Sequence, residues 1–269
     1  MIFWFPNSMV TIHIGSMSEP EKLIEVRDLH QKFGDNHILR GISIDVYNGE
    51  TLVLLGGSGS GKSVLTKHMV GLLKGLSGSI KIKGEEISEF NERDLAPIRR
   101  EMGIMFQNGA LFDSMTVGQN VAFALEENGT TDREEVEKRV LEALSIVKLG
   151  DQSEKMPSDL SGGMRKRVAL ARAIVDRPSV VIYDEPHAGL DPITADVIDH
   201  LIKNLERDLK ITNIVITHEL RSVFRIATRI AFLKDGVIYW QGTPDELKAS
   251  TDPVLVKFLA GESDEGHWE

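Results

Sequence analysis

Short apolar runs alternate along this chain with longer segments whose apolar positions recur every three or four residues. Leu23 to Leu29 alternates apolar and charged side chains, which predicts a half-exposed strand. Ile42 to Val46 repeats the pattern and closes at Asn48-Gly49. Leu52-Val53-Leu54-Leu55 is continuously apolar, as a strand buried on both faces should be. Three strands so close together predict an antiparallel sheet. A further strand is expected at Gly78 to Ile82.

Helical periodicity appears after each glycine-rich break. Val64, Leu65, Met69, Leu72 and Leu73 predict a helix behind Leu55. Asn91 to Glu101 predicts a charged helix, and Met102 to Phe106 a short buried strand with Gln107 at its end. Thr116 is a natural cap for a helix carrying Val117, Val121 and Leu125, stopped by Asn128-Gly129. Thr131 with Glu134 reads as a capping box for the next helix, with Val136, Val140, Leu144 and Val147 as its stripe. Ser161 caps a third. Residues 109–176 therefore read as a mostly helical insertion between sheet strands.

The pattern then returns to strands. Val180 to Tyr183 is apolar and ends in Asp184-Glu185. Ala188 to Pro192 is a turn ahead of a helix with Ile198, Leu201, Ile202, Leu205 and Leu209 in its core face. Ile214 to Ile216 is another buried strand, ending in Thr217-His218. Arg229 to Leu233 and Val237 to Gln241 form a hairpin across Lys234-Asp235-Gly236, and short helices follow from Pro244 and Asp252.

Composition changes this picture little. The 269 residues are 41% hydrophobic and 27% charged, an ordinary balance for a globular chain. The net charge of −10 argues against a general nucleic-acid binder. The absence of cysteine excludes disulfides and thiolate chemistry. The opening Met1 to Phe5 is apolar but short and has no basic residue ahead of it, so it is a poor signal peptide. Residues before Met17 are expected to be disordered or foreign to the natural product.

Chemistry enters at Gly56-Gly57-Ser58-Gly59-Ser60-Gly61-Lys62-Ser63. A strand, a glycine-rich loop and a helix are the context that the phosphate-binding G-x-x-x-x-G-K-[ST] pattern requires. Glycines let backbone N–H groups close around a phosphate. Lys62 supplies charge for the outer phosphates, Ser63 a hydroxyl ligand for Mg²⁺, and the helix N-terminus a favourable dipole. Asp184 and Glu185 end a strand on the same crevice. Asp184 is expected to hold Mg²⁺, and Glu185 to take a proton from an attacking water. His218 ends a third strand there, so a γ-phosphate contact is favoured over a structural role. Phe33 lies in a turn and either stacks on a purine or covers the sheet. Ser161-Gly162-Gly163 leaves N–H groups open at a capped helix start, a weak signal by itself.

The glycine loop, Gln107, Leu160-Ser161-Gly162-Gly163, Asp184-Glu185, Asp191 and His218 resemble ABC-transporter ATPase subunits in order and spacing. The resemblance covers about residues 23–260. It implies an α/β fold: a mostly parallel P-loop (RecA-like) sheet core with an antiparallel β subdomain and an inserted α-helical subdomain. Residues 1–22 would be a disordered extension. Residues 23–108 and 177–261 would form the core and β subdomain, 109–176 the helical subdomain, and 262–269 an acidic tail.

The resemblance also implies ATP and Mg²⁺ as ligands and a head-to-tail dimer of two copies. Gly56, Gly57, Ser58, Gly59, Ser60, Gly61, Lys62, Ser63 and Val64 would bind the nucleotide, with Ser161, Gly162 and Gly163 supplied from the second copy. Phe33 becomes an adenine stacker and Asp191 a link between the two sites. Glu185 becomes the general base, with His218, Gln107 and Lys62 in the catalytic set. Ser63, Gln107 and Asp184 would serve the metal.

A narrower similarity joins Phe106 to Val117, Met156 to Leu160 and Asp191 to Thr194 to the MlaF-type ATPases of MCE lipid-transport systems. It implies lipid transport at the cytoplasmic face of a bacterial inner membrane, as a peripheral subunit. The implied partners are an integral-membrane permease, an MCE-domain lipid-binding protein and a small regulatory subunit. Another cargo, such as an amino acid, ion or drug, is the alternative, and a non-transport ABC ATPase is a more distant one. Ala110, Leu111, Phe112 and Met115 are apolar in a loop, so they either dock a permease helix or cap the insertion's own core. His187 stands where the family carries a small hydroxyl residue. Either it is variation without consequence or it changes contacts near the dimer seam.

Overall fold

The computed structural model describes residues 20–262. The segment expected to be disordered therefore lies mostly outside the described residues, as does the tail after Glu262. Residues 20–22 are described, and the first strand already includes Lys22.

Two sheets form the frame. The larger is built from β3 (Thr51–Leu55), β6 (Met102–Met105), β7 (Val180–Asp184), β8 (Thr212–Ile216), β9 (Arg229–Lys234) and β10 (Val237–Gly242). Their order is β10-β9-β3-β8-β7-β6, with all neighbours parallel except the β9–β10 hairpin. The smaller sheet holds β1 (Lys22–Phe33), β2 (Asn36–Tyr47), β4 (Ser77–Ile82) and β5 (Glu85–Glu86), in the order β2-β1-β4-β5 and antiparallel throughout.

The expected grouping of the first three strands is corrected by this topology. Of the three, only β1 and β2 pair; β3 leaves them for the centre of the parallel sheet. Its composition carries the reason. All five residues of β3 are buried, which an antiparallel strand with one wet face does not need.

Strand alternation divides the interior into two cores. Val53, Leu55, Val181, Tyr183 and Val215 face one side of the large sheet. Leu52, Leu54, Val180, Ile182, Ile214 and Ile216 face the other, where the small sheet packs. Helix α1 (Lys62–Met69) joins the second core through Leu65 and Met69. It stops earlier than its periodicity predicts: Gly71 adopts φ +67°, and Leu72 lies exposed beyond the helix.

Helix α2 is Glu92–Arg100. Helices α3 (Val117–Glu127), α4 (Arg133–Ile146) and α5 (Gly162–Ile174) pack together on the first core. Thr116 caps α3 in a capping box with Gln119, as expected. Helix α4 is capped by Asp132, not Thr131: the Asp132 carboxylate accepts from Glu134 N at 3.0 Å. A carboxylate one residue nearer the first turn reaches those donors and complements their dipole.

Helix α6 (Pro192–Leu209) buries Ile198, Leu201, Ile202 and Leu205, but Leu209 is exposed at its C-terminal end. Helices α7 (Leu220–Ile226), α8 (Pro244–Ala249) and α9 (Pro253–Ala260) come after it; the last two lie where short helices were expected, and Asp252 caps α9.

Candidate functional site

Register places the site. In the parallel sheet Met105 pairs with Tyr183, Asp184 with Ile216, and Ile216 with Leu54. The C-terminal ends of β6, β7, β8 and β3 therefore lie level along one edge, where ligands bind in open α/β sheets. The segments that leave these strand ends reach that edge together, bringing Gln107, Glu185, His218 and the glycine loop.

The loop's shape is enforced by its glycines. A Cβ on Gly56 would lie 2.2 Å from Leu233 O, and one on Gly61 2.7 Å from a Leu39 methyl; both residues also have positive φ. Gly61 precedes α1 without any side-chain cap, so the first-turn N–H groups of Lys62 and Ser63 are left for a ligand. The Lys62 ammonium is buried and donates to Gly56 O and Gly57 O, both at 2.8 Å. Burial pushes its pKa down, while the Glu185 and Asp184 carboxylates oppose that shift. Ser60 is buried in the loop, Ser58 exposed, and Val64 packs half-buried on the second core.

Ser63 Oγ donates to Asp184 Oδ1 at 3.4 Å. Burial pushes the Asp184 carboxyl above the ordinary range; the Ser63 hydroxyl opposes this and the Glu185 charge adds to it. A hydroxyl and a carboxylate converging at a loop mouth are hard oxygen donors, which fit Mg²⁺. Gln107, after the neighbouring strand, can add an amide oxygen.

Glu185 sits in the left-handed region at φ +47°, its N–H donating to Ile216 O at 2.9 Å. Such a backbone is uncommon for a residue with a side chain. It turns the carboxylate toward His218, whose Nδ1 lies 3.0 Å away. An ionised carboxylate only accepts, so Nδ1 carries the donated proton. The pair can hold a water and present the other ring nitrogen to a phosphate.

Ser161, Gly162 and Gly163 are not part of this cluster within the chain. Ser161 caps α5, accepting from Met164 N, and is exposed. Gly163 packs against Thr194: a Cβ there would meet the Thr194 methyl at 2.3 Å. Asp191 caps α6, accepting from Ile193 N and Thr194 N at 3.0 Å and the Thr194 hydroxyl at 2.6 Å. That hydroxyl, first, holds its carboxyl below the ordinary range. Asp191 and Gly163 thus meet through Thr194. Phe33 ends β1 instead of lying in the turn, with its ring about half exposed (48%).

His187 has a structural role that sequence reasoning did not reach. It is buried and bonds the equally buried Asp199 at 2.7 Å, and Ser222 Oγ donates to the same carboxylate at 2.9 Å. The segment after Glu185 is thereby tied to α6 and α7. Two cations were also missed. Arg172 donates to Gly109 O and Ala110 O at 2.7 and 2.8 Å, and the buried Lys166 donates to Gln107 O. The signal for Lys166 was its spacing: it shares a helical face with the buried Leu170 and Ile174.

Comparison with known proteins agrees with this geometry. Residues 39–188 match the family model for ABC transporter ATPases, described as "ABC transporter". The intermembrane phospholipid transport system ATP-binding protein MlaF of Haemophilus influenzae is 39% identical, over 91% of this chain and 92% of that protein. The methionine import ATP-binding protein MetN of Brucella abortus is also 39% identical, over 82% of this chain and 59% of that one. Among solved structures, the dimeric post-hydrolysis state of the ATP-binding cassette MJ0796 bound to ADP and Pi aligns with a TM-score of 0.76. It is 30% identical and covers 82% of this chain and 98% of that one. No helix among the described residues is long and apolar enough to cross a membrane. The nucleotide cradle accords with these matches: the protein belongs to the ABC transporter family and is an ATP-hydrolysing subunit.

Proposed function

We propose that two copies of this chain hydrolyse ATP between them and so drive phospholipid movement through a separate permease of the MCE type. The observation that carries the ATP chemistry is the level row of strand ends, which sets Lys62, Asp184, Glu185 and His218 on one crevice. The glycine-loop N–H groups and Lys62 hold the phosphates. Ser63, Asp184 and Gln107 hold Mg²⁺, which when bound neutralises phosphate charge. Glu185 accepts the proton of the attacking water, and His218 orients that carboxylate and the γ-phosphate. Phosphoryl transfer depends mainly on such positioning and charge stabilisation.

The dimer accounts for what one chain leaves apart. Ser161 to Gly163 forms an exposed helix start, which suits the phosphates of a second copy's ATP. Phe33 stacks on the adenine. Asp191, joined to Gly163 through Thr194, lies where it can pass changes from one site to the other.

Coupling to a permease is supported by a groove of about 480 Å³ lined by Phe106, Ala110, Phe112, Phe123, Arg99 and Arg100. The Phe112 and Phe123 rings lie 4.8 Å apart, and Phe112 is 41% exposed. Buried Asn120 fixes this loop by accepting from Phe112 N at 2.8 Å and donating to Phe112 O, Met115 O and Thr116 O. Leu111 turns inward onto the helical core, so for that residue the capping alternative applies. The groove suits an amphipathic helix with apolar anchors.

Similarity to MlaF favours phospholipid as cargo; similarity to MetN keeps amino-acid import as a second reading. Purification of the native complex decides between them. An MCE-domain protein and bound phospholipid among its components support the first. A solute-binding protein of the amino-acid type overturns it.

A further inference from the structure

We propose that Lys166 is a positioning residue through which helix α5 couples the two nucleotide sites of the dimer. The inference rests on the ATP-sandwich reading above and adds the physical link that joins the sites.

Helix α5 touches two places at once. At its start Ser161 and Gly162 are exposed, where the sandwich reading puts the ATP of a second copy. One turn later Lys166 points inward and is 6% exposed. Its ammonium donates to Gln107 O and, at 3.3 Å, to Glu185 O. Those carbonyls belong to two different loops, one after β6 and one after β7. Arg172, further along the same helix, holds Gly109 O and Ala110 O. The segment after β6 is therefore gripped twice by α5, and the Glu185 backbone once.

The grip on Glu185 is consequential because that residue's φ of +47° needs support from its surroundings. Its N–H is held by Ile216 O and its carbonyl by Lys166. Burying an ammonium is costly unless its donors are satisfied. Burial lowers the pKa of Lys166, and the charges of Glu185 and Asp184 oppose that shift. A cation so placed cannot let go of both carbonyls without leaving a buried charge unpaired. Moving α5 therefore moves Gln107 and Glu185. When the start of α5 closes over the partner's ATP, Lys166 carries that displacement to its own chain's catalytic edge. A rigid helix is enough to transmit it, and each site then reports its state to the other.

The test uses the full chain with Mg-ATP and two variants. Lys166→Met keeps length and apolar stem but removes the donors; Lys166→Arg keeps the charge and the donors. ATP affinity, kcat and the Hill coefficient of hydrolysis are measured for each, with thermal melting as a control on folding. Wild type is expected to hydrolyse ATP with a Hill coefficient approaching two, the number of sites. Lys166→Met is expected to bind ATP as wild type does, to lose about tenfold or more in kcat and to fall to a Hill coefficient near one. Lys166→Arg is expected to recover most of both. Lys166→Met with wild-type kcat and cooperativity overturns the proposal, while ATP-driven dimers of wild type leave the sandwich reading intact. A wild type that neither dimerises with ATP nor shows cooperativity overturns the sandwich reading itself. Should Lys166→Met fail to fold, Lys166→Leu, which likewise carries no donor, takes its place with the same two outcomes.

Discussion

His218 Nδ1 lies 3.0 Å from the carboxylate of Glu185, across adjacent parallel strands whose ends are level. Neither residue is near the other in sequence; the pairing of Asp184 with Ile216 brings them together. The imidazole is largely exposed and the carboxylate mostly enclosed. His218→Ala should therefore leave ATP binding and folding close to wild type. It should lower kcat by about 10²–10³, the scale seen when one preorganised donor is removed from a site of developing charge. Steady-state hydrolysis beside a binding titration measures this. Equal losses in affinity and turnover would show His218 acting in binding alone.

Gly162 and Gly163 should respond differently to alanine. A Cβ on Gly162 meets nothing within 4 Å, whereas one on Gly163 meets the Thr194 methyl at 2.3 Å. Gly162→Ala should melt like wild type. Gly163→Ala should destabilise the chain by about 1–3 kcal/mol as α5 and α6 are pushed apart. Denaturant unfolding of both variants checks it, and similar midpoints would mean that Thr194 moves aside freely.

Most of this architecture was legible because its elements obey local rules. The glycine loop, the Thr116 cap, the Lys234-Asp235-Gly236 hairpin and the buried strands all announce themselves within a few residues. Pairing across distance was not legible. The neighbours of β3 lie more than a hundred residues further on, so its place between β8 and β9 was not readable from Leu52 to Leu55. The partners of Lys166 and His187 were hidden for the same reason. Gln107 and Glu185 lie 59 and 19 residues away from Lys166, so its helical spacing could mark it as inward-facing but could not name the carbonyls it reaches. The end of α1 was missed because Leu72 and Leu73 continue the apolar spacing after Gly71 has already broken the backbone.

His68 gives the chain a pH dependence with a defined sign. It is fully buried on α1, with Nδ1 2.9 Å from Leu73 O, and burial lowers its pKa below 6.5. The folded state thus holds it neutral while the unfolded chain protonates it near the ordinary value. Stability from this group is complete above about pH 6.5 and is lost as pH falls toward the depressed folded value. His68→Gln should flatten that part of the profile. Melting temperatures at about pH 7.5 and about pH 5.5 for wild type and variant, one on each side of that value, test it. Parallel losses would assign the acid sensitivity to other groups.

Phe112 should separate coupling from catalysis. Its ring borders the groove, whereas Asn120 holds its backbone from within. Phe112→Ala should weaken association with the permease by about tenfold or more, as truncating an aromatic anchor does. ATP affinity of the free chain should stay unchanged. Pull-down of the permease beside nucleotide titration provides both readings, and parallel losses would place Phe112 in the fold of the site instead.

If ATP is hydrolysed between two copies, the glycine loop from Gly56 to Ser63 is one wall of each site and Ser161 to Gly163 the other. Glu185→Gln keeps the shape of that residue and removes its capacity as a base. Light scattering of this variant with and without Mg-ATP, beside its rate of hydrolysis, is the most direct measurement. A shared site predicts a monomer without nucleotide, a stable dimer with it, and hydrolysis nearly abolished. A chain that binds ATP yet stays monomeric, or one that turns over at the wild-type rate, would contradict it.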